Sequence, residues 1–408
     1  MNNNMPKQKI TNESSLNCVA CEKHRMYLID IMRIICAFLI YARHSITMYG
    51  CSYGKVVDAL FVELTSPVMT CFFILSGFSI HYQHRLEQIT SAWTRTYLKK
   101  RILSIMPSYL LVVLIWPIFY PEQLNNWAIL LPVDLLGIQT SYRSLFGILH
   151  NGGTWFVSCL LLAYVLYPVI KAVYCSEMKW VPFVMIILIH FILIYSNLII
   201  PKFSLDGLYS NPLARTAEFL AGVSFAEIVF GKKKRQDLVG LWVGWQYCFI
   251  ILCLGCISVV IGMINQASLK MIIFGYLSIP IILVFLVFAS TLRCKCLERS
   301  KTISILSGMS YQFFLTQLFL WEITSWLLKM LNIDGNIAKI LGSFTICILI
   351  SFAVWRFFDK PIRRLLSGLI ISSNRKICIG GLHKTVQDIE GKEDNETIQV
   401  KMDNIIKK

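Results

Sequence analysis

Long apolar runs separated by shorter polar stretches recur along most of the chain. A helix needs about 20 apolar residues to cross a bilayer, so these runs predict transmembrane helices rather than the core of a soluble domain. The predicted spans are 27–48, 60–80, 102–120, 155–174, 181–200, 212–230, 241–263, 270–291, 305–328 and 337–357. The pattern therefore predicts an all-α integral membrane protein, a bundle of about ten transmembrane helices.

The predicted bundle occupies residues 27–366 as one transmembrane domain. Polar tails flank it at 1–26 and 367–408. Hydrophobic residues make up 56% of the chain and charged residues only 15%, which is outside the range of soluble globular domains. The formal net charge of +16 comes from basic residues grouped at the ends of apolar runs. That grouping is typical of membrane orientation, so no nucleic-acid partner is expected.

Lysine and arginine are divided unevenly between alternate loops. With the N-terminus in the cytoplasm, the inner loops hold the basic groups at 95–101 and 232–235, and each outer loop holds fewer basic residues or an equal number. This division satisfies the positive-inside rule. Ten spans then leave both termini in the cytoplasm. We therefore expect a multi-pass protein of the inner (cytoplasmic) membrane, with the longest outer connection at 121–154.

The first apolar run carries ionisable residues at a spacing that places them on one helical face. Arg33 and His44 are eleven positions apart, within ~20° of three full turns and ~16 Å along the axis. Asp30 lies one turn before Arg33, where an ion pair can form. Charged groups at hydrocarbon depth are costly and mark functional sites by default. The alternative is a snorkelling arginine and an interfacial histidine.

Two further features carry candidate chemistry. Arg215 and Glu218 lie one turn apart in the sixth predicted span and are expected to form a buried ion pair, with structural and catalytic roles equally open. The fourteen cysteines lie mostly in apolar runs, where they act as small hydrophobes. Cys18 and Cys21 form a lone C-x-x-C pair, so no metal site is expected.

Seven segments in chain order resemble the membrane-bound acyltransferase-3 family. They are LIDIMRIICAFLIYARHS (28–45), FFILSGFSI (72–80), YLKKRILSIMP (97–107), GGTWFVSCLLLAYVLYPV (152–169), RTAEFLAGV (215–223), LSGMSYQFFLTQ (306–317) and WRFFDKPIRR (355–364). The first contains the Asp-x-x-Arg start and the Arg-x10-His motif of that family. The resemblance covers almost the whole chain apart from the two tails.

The resemblance implies a bacterial enzyme that moves an acyl group, usually acetyl, from acyl-CoA to a hydroxyl of an exported or cell-surface carbohydrate. His44 would be the general base or acyl carrier, with Arg33 positioning the donor and Asp30 orienting Arg33. The remaining candidates for binding donor or substrate are Arg101, Lys100, Trp155, Arg215 and Glu218. No bound cofactor is implied, since acetyl-CoA is a substrate. The expected partners are the lipid bilayer, the carbohydrate acceptor and separate envelope glycan-assembly proteins.

The chain departs from the family pattern at a few positions. Ser104 stands where a second arginine is usual, and Leu160 and Leu161 stand where acidic residues are common. Gln317 replaces a frequent histidine, and Asp359 replaces the usual glutamate. None of these changes affects Arg33 or His44.

A multi-pass transporter or flippase for a polysaccharide precursor or small solute is the alternative function. Buried ions in a bundle of many helices suit secondary transport, whose signature is a repeat relating the two halves of the chain. Helices one to five and six to ten share no convincing internal similarity. The sequence therefore favours the acyltransferase.

Overall fold

The computed structural model describes residues 25–139, 154–174, 181–199, 210–230, 238–264, 266, 268–292, 294–333 and 335–368. Throughout these residues the regular elements are helices, and none of them forms a strand. In chain order the α-helices are α1 (Tyr27–Tyr49), α2 (Lys55–His84), α3 (Ser91–Phe119), α4 (Leu124–Leu136), α5 (Trp155–Tyr174), α6 (Val181–Ile199), α7 (Pro212–Phe230), α8 (Leu238–Ile264), α9 (Leu269–Met271), α10 (Ser278–Thr291), α11 (Lys295–Glu298), α12 (Lys301–Met330) and α13 (Asn336–Ala353).

Each predicted span falls on a helix or on consecutive helical segments. Within the described residues, five segments are long and apolar enough to cross a membrane: Tyr27–Met48, Lys55–His84, Ser91–Phe119, Trp155–Tyr174 and Asn336–Gly368. Over its described residues the protein is therefore an all-helical membrane protein. The count of ten crossings and the cytoplasmic placement of the termini stay predictions. Residues 1–24 and 369–408, which make up most of the two predicted tails, lie outside the described residues.

The third helix begins well before its predicted span because hydropathy detects only its apolar part. α3 starts at Ser91, whereas the apolar run starts near 102. The Thr90 side chain caps the helix by accepting a hydrogen bond from the Trp93 backbone N–H at 3.0 Å. The polar first turns therefore belong to the same helix as the predicted span.

The long connection predicted at 121–154 contains a helix. A 3₁₀ turn at Pro121–Gln123 leads into α4, which ends at Gly137 in the left-handed conformation, φ +67°. Proline at the start and glycine just past the end are common helix boundary signals. Thirteen residues are too few to cross a bilayer, so a hydropathy criterion overlooks this element.

The centre of the bundle is the crossing of α2 and α7, the most extensive contact between helices in the described residues. A Cβ atom at Gly77 of α2 would overlap the backbone carbonyl of Phe219, and one at Gly222 of α7 would overlap that of Ile74. Both glycines therefore permit backbone-to-backbone contact, as small residues do in membrane helix pairs. α1 packs against α2 and α12, which brings Arg33 to the interior of the bundle.

Candidate active site

A cavity of about 240 Å³ lies between α1, α2, α3, α5, α12 and the helical segment that continues from α13 to Gly368. Its walls combine aromatic and aliphatic side chains with hydroxyl groups. The hydroxyl-bearing residues are Ser76, Ser104, Ser307, Ser310, Tyr164 and Tyr311. Within the described part of the chain, the charged residues lining the cavity are Arg33 and Arg363. The cavity therefore presents positive charge and hydrogen-bonding groups to any occupant.

Arg33 is held by neighbours on two helices, Ser79 on α2 and Asp30 on α1. Its Nη2 donates to Ser79 Oγ at 2.8 Å, and its Nη1 lies 3.5 Å from Asp30 Oδ1. Asp30 also accepts from Arg25 Nε at 2.7 Å and from Ser307 Oγ at 2.8 Å. The proximity of Asp30 and Arg33 expected from their spacing is present. Arg25, which the sequence analysis did not single out, is the closer partner of Asp30.

Arg363 also lies in the cavity, although it was not a sequence candidate. Its Nη2 donates to the Ser104 backbone carbonyl at 2.6 Å, and its Nε lies 2.7 Å from Asp359 Oδ2. Asp359 is only 1% exposed and accepts from Ser108 Oγ at 2.7 Å. The i,i+4 spacing of Asp359 and Arg363 was the available signal. A π-helical turn at Val354–Asp359 precedes Arg363, and hydropathy does not reveal which way the helix then faces.

His44 lies further along α1 and does not line the cavity. Its ring faces the side-chain amide of Gln317 on α12. The expectation that no departure from the family pattern touches His44 is therefore wrong, because packing of α12 against α1 brings Gln317 beside it. Neither His44 Nδ1 nor Gln317 Oε1 makes a hydrogen bond to a described residue, and both atoms are buried. Gln317 Nε2 donates to the carbonyl of Phe314, which is a cavity residue. α12 therefore links the surroundings of His44 to the cavity wall.

Arg101 and Lys100 have different environments, because consecutive helical residues point about 100° apart. Arg101 Nη2 lies 3.0 Å from His84 Nε2 and 3.3 Å from Gln83 Oε1. Its guanidinium carbon is 5.9 Å from the ring centre of Tyr164, a cavity residue. Lys100 is exposed on the surface of α3. The structure thus brings Arg101 to the edge of the cavity and leaves Lys100 away from it.

Trp155, Arg215 and Glu218 come together behind one wall of the cavity. Arg215 Nη1 lies 2.7 Å from Glu218 Oε2, and both side chains are buried. The Arg215 guanidinium carbon is 5.7 Å from the Trp155 ring centre and 5.8 Å from that of Phe73. Phe73 lines the cavity, whereas the ion pair does not. The expected ion pair is present, but it supports the wall rather than facing the cavity.

A family model described as an acyltransferase domain matches residues 26–356. The chain belongs to the acyltransferase-3 family. No curated protein and no solved structure matches it. The match confirms the resemblance to this family; it spans six of the seven segments and the first two residues of the seventh. It covers Arg33, His44 and most of the cavity of this membrane acyltransferase, and it ends before Asp359 and Arg363.

The acyltransferase contains a second polar cluster that the sequence analysis missed. Lys171, near the end of the predicted span 155–174, is 1% exposed and lies 4.2 Å from the ring centre of Trp93. It donates to the Glu87 backbone carbonyl. Hydropathy identifies Lys171 only as a charged residue near the end of a span. Its burial could not be predicted, because it depends on the packing of α3 against α5. Cys18 and Cys21 lie outside the described residues. Among the residues that the structure describes, Cys36 and Cys71 are free cysteines and are buried.

Proposed function

We propose that this membrane acyltransferase moves an acetyl group from acetyl-CoA to a hydroxyl of an exported or cell-surface carbohydrate. The observation that carries the proposal is the position of Arg33, whose guanidinium lines a polar cavity inside a member of the acyltransferase-3 family. Coenzyme A is a polyanion. Guanidinium groups bind phosphate and carboxylate oxygens through paired, charge-assisted hydrogen bonds.

In this proposal the donor extends from the cavity toward His44. Arg33 binds the anionic part of the donor, and Arg101, at the cavity edge, adds positive charge. His44 lies ~16 Å from Arg33 along the axis of α1, so the two residues act on different parts of one long molecule. The pantetheine arm of coenzyme A, which is unbranched and flexible, would cover this distance and bring the thioester to His44.

The transfer step needs one base and no external oxidant or reductant. A neutral His44 nitrogen takes the proton of the acceptor hydroxyl while its oxygen attacks the thioester carbonyl. The new C–O bond forms as the C–S bond breaks, and the coenzyme A thiolate leaves. The thiolate then takes the proton from the imidazolium, which regenerates neutral His44.

An acyl-imidazole route uses the same residues in two steps. A His44 nitrogen attacks the thioester and releases the thiolate, and the carbohydrate hydroxyl then attacks the acyl-imidazole. The two routes differ when the acceptor is absent, because only the second accumulates labelled protein. Both place His44 at the reacting carbonyl.

Arg33 provides the test of this proposal. Membranes containing the wild-type protein should transfer radiolabelled acetyl from acetyl-CoA into carbohydrate, and Arg33→Ala should abolish the transfer. Arg33→Lys should be strongly impaired because lysine lacks the planar guanidinium. Arg33→Ala should still insert and fold, since Asp30 keeps its contacts with Arg25 and Ser307.

The matched control is Arg95→Ala, which removes an exposed arginine of α3 and should leave transfer unchanged. Full transfer by Arg33→Ala at normal abundance would remove Arg33 from the mechanism. Export of an unmodified glycan precursor, without transfer of label, would instead establish the transporter.

A further inference from the structure

Two arginines on different helices line the same cavity, so an anion bound there would meet positive charge from two sides. Arg33 comes from α1 and Arg363 from the last helical segment. Their side chains are 27% and 34% exposed, so neither guanidinium is sealed by protein. The pair therefore suggests a negatively charged occupant.

Each arginine has a carboxylate partner, but neither carboxylate lines the cavity. Asp30 contacts Arg33, and Asp359 contacts Arg363. These aspartates fix the side chains and reduce the cost of their burial. The charged groups that an occupant would meet, among the residues that the structure describes, remain the two guanidiniums.

Arg363 is anchored in a way that leaves donors for a ligand. Its Nε lies 2.7 Å from Asp359 Oδ2 as an ion pair without hydrogen-bond geometry, and its Nη2 donates to the Ser104 carbonyl. Its Nη1 hydrogen-bonds to none of the described residues. The hydroxyls of Ser76 and Ser310 line the same space. A phosphate group accepts several hydrogen bonds at once and is best bound by such a set of guanidinium and hydroxyl donors.

The size of the cavity limits what it can hold. Sites for complete small molecules span roughly 300–1,000 Å³. The cavity, at about 240 Å³, is smaller than that range. It therefore suits one anionic segment of a larger molecule.

We propose that Arg363 and Arg33 together bind the phosphate groups of the acyl donor inside this cavity, with Asp359 as the positioning residue for Arg363. The identity of the donor rests on the proposed function above. The family match ends at residue 356, and the resemblance of segment 355–364 to the family assigned no role to Arg363. Arg363 is thus a donor-binding residue contributed by the segment beyond the matched region.

The test compares two thioester donors that differ in charge. Acetyl-CoA carries the phosphates, whereas S-acetylpantetheine has the same reactive arm and none of them. Membranes are assayed for thiol release from each donor. Arg363→Ala should raise the KM for acetyl-CoA about 10- to 100-fold, the range expected for hydrogen bonds between charged groups. The KM for S-acetylpantetheine and the kcat for both donors should stay within about twofold, because the neutral donor never uses Arg363.

The chain offers a close control and a way around misfolding. Arg364→Ala removes the neighbouring exposed arginine and should change neither KM. Because Arg363→Ala leaves the buried Asp359 carboxylate uncompensated, the double variant Asp359→Asn, Arg363→Gln removes both charges together. It should show the same selective loss of acetyl-CoA affinity. The proposal would be overturned if the single and the double variant both showed an equal rise in KM for the two donors. It would also be overturned if neither variant raised either KM.

A binding measurement separates this inference from the proposed function. If wild-type membranes release no thiol, the acyltransferase mechanism fails, and radiolabelled coenzyme A is then titrated onto the solubilised full-length protein. Binding that weakens at least tenfold in Arg363→Ala, and not in Arg364→Ala, would support the phosphate site. Absence of binding, or equal binding by both variants, would contradict it.

Discussion

At the scale of single residues, spacing within one helix was predictable and contacts between helices were not. The i,i+3 pairs Asp30–Arg33 and Arg215–Glu218 follow from helix geometry, and both are present. Arg25 as the closer partner of Asp30, and Arg363 as a cavity residue, depend on how distant segments pack. A sequence without an alignment gives no direct signal for such contacts.

The burial of Asp134 likewise depends on packing between helices, and it leads to a prediction about how stability depends on pH. It lies on α4 and is 1% exposed; burial raises the pKa of its carboxyl from the ordinary 3.8 to about 7. A carboxyl whose pKa is raised by folding stabilises the folded state at low pH. That stabilisation is lost as the pH rises from about 4 through about 7.

Asp134→Asn should therefore become increasingly more stable than the wild type as the pH rises from 5 to 8. The expected gain in Tm is about 1–2 °C for each kcal/mol that the buried carboxylate costs at the given pH, because the entropy of unfolding of a chain of 408 residues is large. Thermal unfolding of the solubilised protein measures this difference. Glu122→Gln, an exposed change on the preceding turn, serves as the control and should give a difference independent of pH. If the difference in Tm between Asp134→Asn and the wild type did not change with pH, it would contradict a carboxyl whose pKa is raised by burial.

At the scale of helices, hydropathy located the apolar segments but not their packing. Ser76 and Gly77 are adjacent small residues of α2, a residue type that allows membrane helices to approach closely. The structure separates them, because Gly77 contacts the backbone of α7 while Ser76 lines the cavity. One turn of α2 therefore serves the central crossing on one side and the candidate site on the other.

Gly77→Ala tests the crossing. The added methyl group would overlap the Phe219 carbonyl, so the backbones must separate, and overpacking of this kind costs about 1–3 kcal/mol or more. We expect a lower Tm and lower abundance in the membrane. The control is Gly342→Ala in α13, where a Cβ would lie at an ordinary 3.5 Å from Leu328 Cδ2. That change should be neutral or slightly stabilising, because alanine is the better helix former. Equal stability of the two variants would argue against backbone contact between α2 and α7.

At the scale of the whole molecule, the composition and the repeated apolar runs sufficed to predict an all-helical membrane protein. They did not predict α4, whose 13 residues are too few for a span, nor the extension of α3 into polar sequence. The cavity could not be predicted from the sequence either, because its walls come from five helices and the last helical segment. Arg33 was found because a charge in an apolar run is visible in the sequence. Its neighbour Arg363 lies among other basic residues near the end of a run, where positive charge is expected for topology alone.

The central claim is that His44 performs acyl transfer to carbohydrate in this bundle, and one measurement tests it most directly. The O-acetyl content of carbohydrate is compared in cells producing the wild type, His44→Ala or His190→Ala at equal membrane abundance. His190 is the control, because it is buried on α6, hydrogen-bonded to Ser258 at 2.6 Å and absent from the cavity. We predict that His44→Ala lowers the transfer rate about 10²- to 10⁴-fold, the typical contribution of a general base, while His190→Ala retains it. Wild-type O-acetylation in cells producing His44→Ala would contradict the account.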